Sequence, residues 1–322
     1  ITRLSKSELF SGSLSSSWQV KFPGISKGVV PAESVGRAPA DPVLFAEADA
    51  SGTGIRIWEL DGSFALTDAG VVPTLFTPFT GGIPQLGGAE LLNTESPDLL
   101  NAVWRNDSLW SAHPVSHLGD CIIRWHEIDT TGGVYSLTQS GNLDPGTSVH
   151  LPQGAISVDA DGNMAVANMQ SSATLYPSMK IVGRVAGDPL GITSGGISIE
   201  IQTEALLAPS EDLGFKGRST GIALDPWDDS TYWAVQRFHS GDSGWGHVAG
   251  FSSLASDRFE ANETRLTATD VGVAPGVHLR NLSIHSATDQ DWFEIEVLRP
   301  DDIEVDVKFQ TIYEELQFDV TD

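Results

Sequence analysis

The sequence predicts an all-β fold, and within that class a β-propeller. Three observations carry this expectation. Gly (33) and Pro (17) are abundant among the 322 residues, helical amphipathic pattern is almost absent, and short apolar runs rich in Val, Ile, Trp and Phe recur between Gly, Asp, Asn, Ser and Pro turns. The runs form a loose repeat at about 50 to 65 residues, long for one four-stranded blade but within reach when the connections are extended. Asp-rich turns return at the same place in two copies, where a blade needs a tight hairpin.

Taken in order, Ile1–Leu4 and Trp18–Phe22, separated by a short helical candidate at Ser5–Phe10, read as the outer two strands of a blade. The first clear copy pairs Val43–Ala48 with Gly54–Leu60. The second runs Leu99–Trp104, Ser108–His113 and Cys121–Ile128. The third is Ala155–Val158, Met164–Ala167 and Met179–Arg184, with the turn Asp159-Ala-Asp-Gly-Asn163 between its first two strands. The fourth is Gly221–Leu224, Thr231–Arg237 and Trp245–Phe251, with Asp225-Pro-Trp-Asp-Asp-Ser230 in the matching place. Glu204–Ala208 is the second helical candidate. Residues 1–256 thus read as a propeller with about four to five blades visible, in a ring of about five to seven closed by an upstream strand.

Charge narrows the partners. With 43 acidic against 18 basic residues, the formal net charge of −25 speaks against nucleic acid, whose phosphates need a basic face, and against an anionic membrane surface. The acidity reads as a solvated exterior, with clustered carboxylates as candidates for calcium. The single cysteine, Cys121, allows no intrachain disulfide and lies in an apolar strand, so it is expected in the core. No run of about 18 apolar residues is present to span a membrane as a helix. The chain begins without Met or an apolar leader, which reads as a processed product or a fragment.

The most specific signal lies after residue 256. Asp257-Arg-Phe-Glu-Ala-Asn-Glu-Thr-Arg-Leu-Thr-Ala-Thr-Asp270 and Ser283-Ile-His-Ser-Ala-Thr-Asp-Gln-Asp-Trp-Phe-Glu-Ile-Glu296 resemble the opening half of the bacterial pre-peptidase C-terminal domain, a small β-sandwich on exported proteins. The resemblance implies an extracellular or cell-surface protein and a partial sandwich over 257–322. Upstream, Leu99–Trp110 followed by Ile123–Asp129 resembles large exported propeller proteins of environmental bacteria, a likeness of structural motifs that implies no activity. Calcium needs six to eight oxygen ligands, usually from two segments, and Glu260-Ala-Asn-Glu263 with the turn before Trp292 can supply them. In calcium-binding relatives of the domain an acidic segment of this kind pairs with an Asp before the aromatic strand. The resemblance therefore implies a calcium site at Glu260, Asn262, Glu263 and Asp291, with Asp289 as an addition; Glu263 stands where Asp is commoner.

No catalytic signature is complete. Asp159–Asn163 resembles the first half of an EF-hand loop but lacks the closing Glu, so a hairpin turn is the expectation. Ser240-Gly-Asp-Ser-Gly-Trp245 resembles a shortened Asp-box of sialidase-like propellers, a structural turn in that family. Gly-x-Ser-x-Gly and His-Glu-x-x-His are absent. Ser243 reads as a loop serine and His126 as a packed or surface strand residue, while His239 and His247 flank the last Gly-rich loop. Trp58, Trp110, Trp125 and Trp233 occupy repeat positions and are expected between blades. The functional expectation is a non-catalytic extracellular module for attachment, assembly or ligand binding, with a protein or glycan partner or self-assembly. The alternative is a fragment of a secreted hydrolase acting on protein or polysaccharide.

Overall fold

The structure is a computed structural model that describes residues 2–4, 17–19, 28–38, 41–88, 92–93, 97–193, 199–201, 220–226, 229–239, 244–251, 264–274 and 291–297. Branched and aromatic residues alternating with small or polar ones favour strands, and strands follow one another along the chain. They are β1 (Thr2–Leu4), β2 (Ser17–Gln19), β3 (Val30–Ser34), β4 (Val43–Ala48), β5 (Gly54–Leu60), β6 (Leu66–Pro73), β7 (Gly82–Ile83) and β8 (Leu92–Asn93). Next come β9 (Ala102–Arg105), β10 (Ser108–His117), β11 (Asp120–Asp129), β12 (Ser136–Leu143), β13 (His150–Val158), β14 (Met164–Ser172) and β15 (Leu175–Arg184). The series closes with β16 (Ile199–Ile201), β17 (Thr220–Leu224), β18 (Tyr232–His239), β19 (Gly244–Phe251), β20 (Thr269–Ala274) and β21 (Phe293–Val297).

These strands make antiparallel blades in chain order: β3-β4-β5-β6, β9-β10-β11-β12, β13-β14-β15-β16 and β17-β18-β19, here blades A to D. The fold is a β-propeller. Blades A and B are joined into one eight-stranded sheet because their innermost strands, β3 and β9, run parallel and pair at Ala32↔Ala102, Glu33↔Val103 and Ser34↔Trp104. Parallel innermost strands follow when successive meanders turn the same way about an axis. The first repeat corrects the sequence reading: Val43–Ala48 is the second strand of its blade, not the first. The innermost strand β3 escapes the pattern because it meets β4 only through Val30 and Pro31 before crossing to β9, and its last residues, Glu33 and Ser34, are exposed and polar.

Turn chemistry sets the hairpins. The β9–β10 and β10–β11 links are two-residue turns with positive φ at both positions, Asn106 (50°) with Asp107 (58°) and Leu118 (51°) with Gly119 (95°), the mirror-type turn that matches strand twist. In the β13–β14 turn, Asp159 Oδ1 accepts from the Asp161 and Asn163 amides at 3.0 and 2.8 Å, and Gly162 takes φ +83°. The expected hairpin is therefore present. β1 and β2 pair antiparallel as expected, forming a two-stranded sheet of their own among the described residues. Both helical candidates, Ser5–Phe10 and Glu204–Ala208, lie outside the described residues.

Side chains alternate between the two faces of a strand, so each blade presents one face to the blade before it and one to the blade after. Leu44, Ala46, Ala48, Ile55 and Ile57 of blade A meet Leu109 and Ile128 of blade B. Trp110, Ile123 and Trp125 of blade B meet Ile156, Val158, Met164 and Val166 of blade C, the two indoles lying 6.2 Å apart at 21°. Ala155, Ala165, Ala167 and Ile181 of blade C meet Ile222, Tyr232 and Ala234 of blade D. Trp110 and Trp125 sit between blades as expected; Trp58 is half-buried, and Trp233 is 47% exposed with its Nε1 donating to Asp225 Oδ2 at 3.0 Å.

Polar clamps add direction to this packing. Asn101 donates from Nδ2 to the Ile156 carbonyl at 2.8 Å and accepts the Ile156 amide at 3.0 Å, closing the free inner edge of β13. Arg105 reaches the Val158 carbonyl at 3.2 Å and forms a two-point ion pair with Asp229, tying blades B, C and D. The Tyr232 hydroxyl donates to the Asn163 carbonyl at 2.8 Å.

The chain divides into two compact units, Ile1–Arg258 with Asn281–Ala287, and Phe259–Arg280 with Thr288–Asp322. The second holds a 3₁₀ turn at Arg265–Thr267, capped by Thr264 and Thr267, and the parallel pair β20–β21. The remainder of the expected sandwich lies outside the described residues.

Replacing Asn101 with Leu strips both partners from the Ile156 edge, and at about 1 to 3 kcal/mol for each buried unsatisfied group the variant is expected to lose about 2 to 4 kcal/mol. Urea unfolding checks this; a loss below about 0.5 kcal/mol, the scale of ordinary surface substitutions, rules the clamp out as a stabilising device.

Candidate functional site at the polar end of the blades

Along several strands, apolar side chains give way to uncharged polar ones toward one end of the axis. On β14, Met164, Ala165, Val166 and Ala167 are followed by Asn168, Gln170, Ser171 and Ser172, all buried. On β18 the series Tyr232, Ala234, Gln236 makes the same change, and on β10 Leu109 gives way to Ser111 and His113. β13 runs antiparallel to β14 and begins at the polar end, with buried His150 and half-buried Gln153 preceding Ala155, Ile156 and Val158. This is the end at which the innermost strands start. Buried polar groups occur at the other end as well, where Arg105, Asp159, Asn163 and Arg184 serve the turns and the ties between blades; the strand positions above are distinguished by being uncharged amides, hydroxyls and imidazoles.

A strap covers the same end. Residues 74–88 leave blade A, cross blade B and reach blade C: the Ser116 amide donates to the Thr77 carbonyl at 2.8 Å, Ser171 Oγ to the Pro84 carbonyl at 2.8 Å, and the Leu86 amide to the Leu175 carbonyl at 3.2 Å. Phe79 and Ile83 of the strap pack with Cys121 and Met169. Phe76 sets its ring edge against His113, centroids 4.6 Å apart at 77°. Gln85 is buried beneath it.

The groups at this end are amides, hydroxyls and imidazoles. Between blades C and D, Thr220 bridges Gln236 and Gln153, the latter at 3.2 Å. Because a hydroxyl has one proton, one of the two amides turns its NH₂ toward Thr220. Between B and C, Asn168 Oδ1 is buried without a hydrogen-bond partner. Between A and B, His113 and His126 bring their Nε2 atoms to 3.1 Å, both side chains fully buried. Burial, the Arg124 charge and, for His126, the neighbouring imidazole hold both well below the ordinary histidine range, His113 at about 3.

Beside them, Cys121, His150 and Asp120 superficially suggest a nucleophile with its base. The geometry denies it. His150 Nδ1 accepts the Cys121 amide at 3.1 Å, the thiol donates to the Leu151 carbonyl at 3.5 Å, and burial with the Asp120 charge pushes the thiol up to about 12. Cys121 is a core residue, as the sequence implied.

Of the calcium ligands read from the sequence, Glu260, Asn262, Glu263 and Asp289 lie outside the described residues, and Asp291 is half-buried just before β21. Among the described residues no group of three or more His, Cys, Asp or Glu gathers as a metal site. His126 is a packed interior residue. Ser243 lies outside the described residues; His247 stands opposite Gln236 in the ladder and His239 opposite Gly244. The polar end itself was missed. Its trace in the sequence is the run Asn168-Met-Gln-Ser-Ser172, polar where the corresponding strand positions upstream are Ala and Val.

No family model matches the chain, and no curated protein matches it. Three solved structures are distantly similar. A thermostable family-43 glycoside hydrolase is 12% identical with a TM-score of 0.37, over 71% of this chain and 71% of that one. An endo-arabinase from Bacteroides thetaiotaomicron is 12% identical with a TM-score of 0.37, over 69% of this chain and 74% of that one. The soluble aldose sugar dehydrogenase of Escherichia coli, in its apo form, is 13% identical with a TM-score of 0.39, over 81% of this chain and 70% of that one. These are likenesses of fold and carry no residue roles. No helix among the described residues is long and apolar enough to cross a membrane.

The Cys121 environment sets one expectation: at pH 8 the native protein resists a thiol reagent, and the thiol reacts at the rate of a free cysteine only in denaturant. Rapid labelling of folded protein, read by mass spectrometry, contradicts the burial of this hairpin beneath the strap.

Proposed function

We propose that the propeller is a binding module for a neutral, hydroxyl-rich ligand, a glycan, taken at its polar end. The observation that carries this reading is the set of uncharged amide and hydroxyl groups, Gln153, Asn168, Gln170, Thr220 and Gln236, collected there by the B–C and C–D blade interfaces. Amides present both donors and acceptors, the complement of sugar hydroxyls, which do the same. Five of the described acids are held by other groups: Glu47 accepts from Trp58, Glu127 from Ser108 and Gln139, Glu59 from Tyr135, Asp159 closes its own hairpin, and Asp120 accepts the Ser148 amide.

The competing reading is a fragment of a secreted hydrolase. The names of the similar structures, two glycoside hydrolases and a sugar dehydrogenase, fit it at least as well as a non-catalytic module, and their likeness in fold leaves the choice to experiment. One experiment separates the two: incubation with a panel of plant and bacterial polysaccharides, reading binding by calorimetry and products by chromatography. Binding without products supports the module; released sugar supports the hydrolase. Gln153→Ala and Gln236→Ala are each expected to weaken glycan binding about tenfold, the equivalent of about 1.4 kcal/mol for one hydrogen bond, and unchanged affinity in both moves the site elsewhere.

An extracellular or cell-surface location and a calcium ion on Glu260, Asn262, Glu263, Asp289 and Asp291 belong to the same proposal. What supports them is the resemblance of the two C-terminal segments. Millimolar calcium is expected to raise the melting temperature of the C-terminal unit by mass action, and Asp291→Asn to abolish that shift; a melt indifferent to calcium and chelator removes the ion from the account.

A further inference from the structure

His113 and His126 stand on the face of blade B that meets blade A. Their Nε2 atoms are 3.1 Å apart while their ring centroids are 5.3 Å apart, with the planes inclined by 29°. The two distances differ by about the width of one imidazole ring, so the rings meet end to end, nitrogen facing nitrogen. Two imidazoles sharing a metal point at a common third atom, which bends the pair and draws the centroids closer. End-to-end contact is the geometry of one N–H···N hydrogen bond, which holds one proton.

The Nδ1 atoms of both rings are buried without a hydrogen-bond partner, so the contact between the two Nε2 atoms is the hydrogen bond the pair makes, and whichever ring donates, one proton lies between them. Ser111, opposite His126 across the β10–β11 ladder, has a buried hydroxyl without a partner. The charged group that bears on the pair is Arg124, across the ladder from His113; it donates from Nε to Asn142 Oδ1 and from Nη1 to the Leu75 carbonyl, both at 2.9 Å. From blade A, the side chains of this core are the apolar Ala46, Ala48, Ile55 and Ile57, because Glu47 and Arg56 alternate onto the opposite face. From the strap comes Phe76, and from β12 the uncharged Ser140 and Asn142 stand opposite His126 and Arg124. No described carboxylate lies against the rings to balance a second proton.

We propose that this imidazole pair is an acid-sensitive fastener of the strap, closed when the pair holds one shared proton and opened when it takes a second. A second proton puts two N–H groups nose to nose and a positive charge beside Arg124. The residues displaced are those at the root of the strap, because His113 supports Phe76 and Arg124 holds Leu75. Opening at acidic pH uncovers the polar end, whatever ligand binds there.

The sign follows from the depressed native-state affinity for protons. Above pH about 6.5 both rings are neutral folded or unfolded, and the pair adds no pH dependence. As pH falls below about 6.5 the unfolded or opened state takes up protons that the closed state refuses, and the opening constant rises by up to about 10-fold per pH unit for each histidine.

Hydrogen exchange of segment 74–79 tests the proposal, comparing the wild type at pH 7.0 and 5.0 (rough settings on either side of the histidine range) after correction for intrinsic exchange. The double variant His113→Gln, His126→Gln keeps an uncharged hydrogen bond in place of the pair. The expected result is a loss of protection at the lower pH, about 10-fold or more, in the wild type and not in the double variant. Equal protection at both pH values, or an equal loss in the double variant, overturns the fastener. Because the double variant can fail to fold, ¹⁵N spectra of the wild-type imidazoles supply an independent reading: neutral rings in the closed form at the lower pH support the proposal, and titration near the ordinary histidine value without opening refutes it.

Discussion

The free inner edge of each blade is the constraint on which the rest of the structure depends. A meander of antiparallel strands satisfies its backbone everywhere except along its first and last strands, and the first lies at the axis, where unpaired amides are costly. Two solutions are used. β9 takes β3 of the preceding blade as a parallel partner, while β13 is met by the carboxamide of Asn101, which supplies one donor and one acceptor to Ile156. Both fix the spacing and angle between neighbouring blades, and so determine which side chains meet in the space between them.

With that spacing set, the interfaces divide along the axis. One half is mainly apolar, fills with Leu, Ile, Val, Met and Trp, and supplies the hydrophobic stabilisation. The other half accepts Asn, Gln, Ser, Thr and His under the strap at a cost in desolvation. The Arg105–Asp229 pair and the Tyr232 hydroxyl bond lie toward the mainly apolar half, where they join blades B, C and D. Stability is concentrated at one end of the blades, and chemical variety at the other.

Much of the propeller was legible in sequence because period-two apolar runs and turn residues are local properties. The expected strands at 99–104, 108–113 and 121–128 overlap the observed 102–105, 108–117 and 120–129, because their apolar residues mark the cores, while the positive-φ turns at Asn106-Asp107 and Leu118-Gly119 fix where the hairpins close. β3 was not legible. Its short apolar run Val29-Val-Pro-Ala32 is interrupted by Pro, and its pairing with β9 joins residues about 70 positions apart in a parallel register that no local pattern encodes. The calcium residues were read from a resemblance, and four of the five fall outside the described residues.

Sequence alone determined the strand content, the turn positions, the burial of Cys121 and the acidity that speaks against a phosphate-rich partner, because each follows from composition or from neighbours within a few residues. Tertiary structure alone decided that Asn168, Gln170, Thr220 and Gln236 lie at one end of the axis, that residues 74–88 run from blade A over blade B to blade C, and that the imidazoles of His113 and His126 meet. Those facts depend on which faces of which strands come together, and facing strands from different blades carry no mark of one another in the chain.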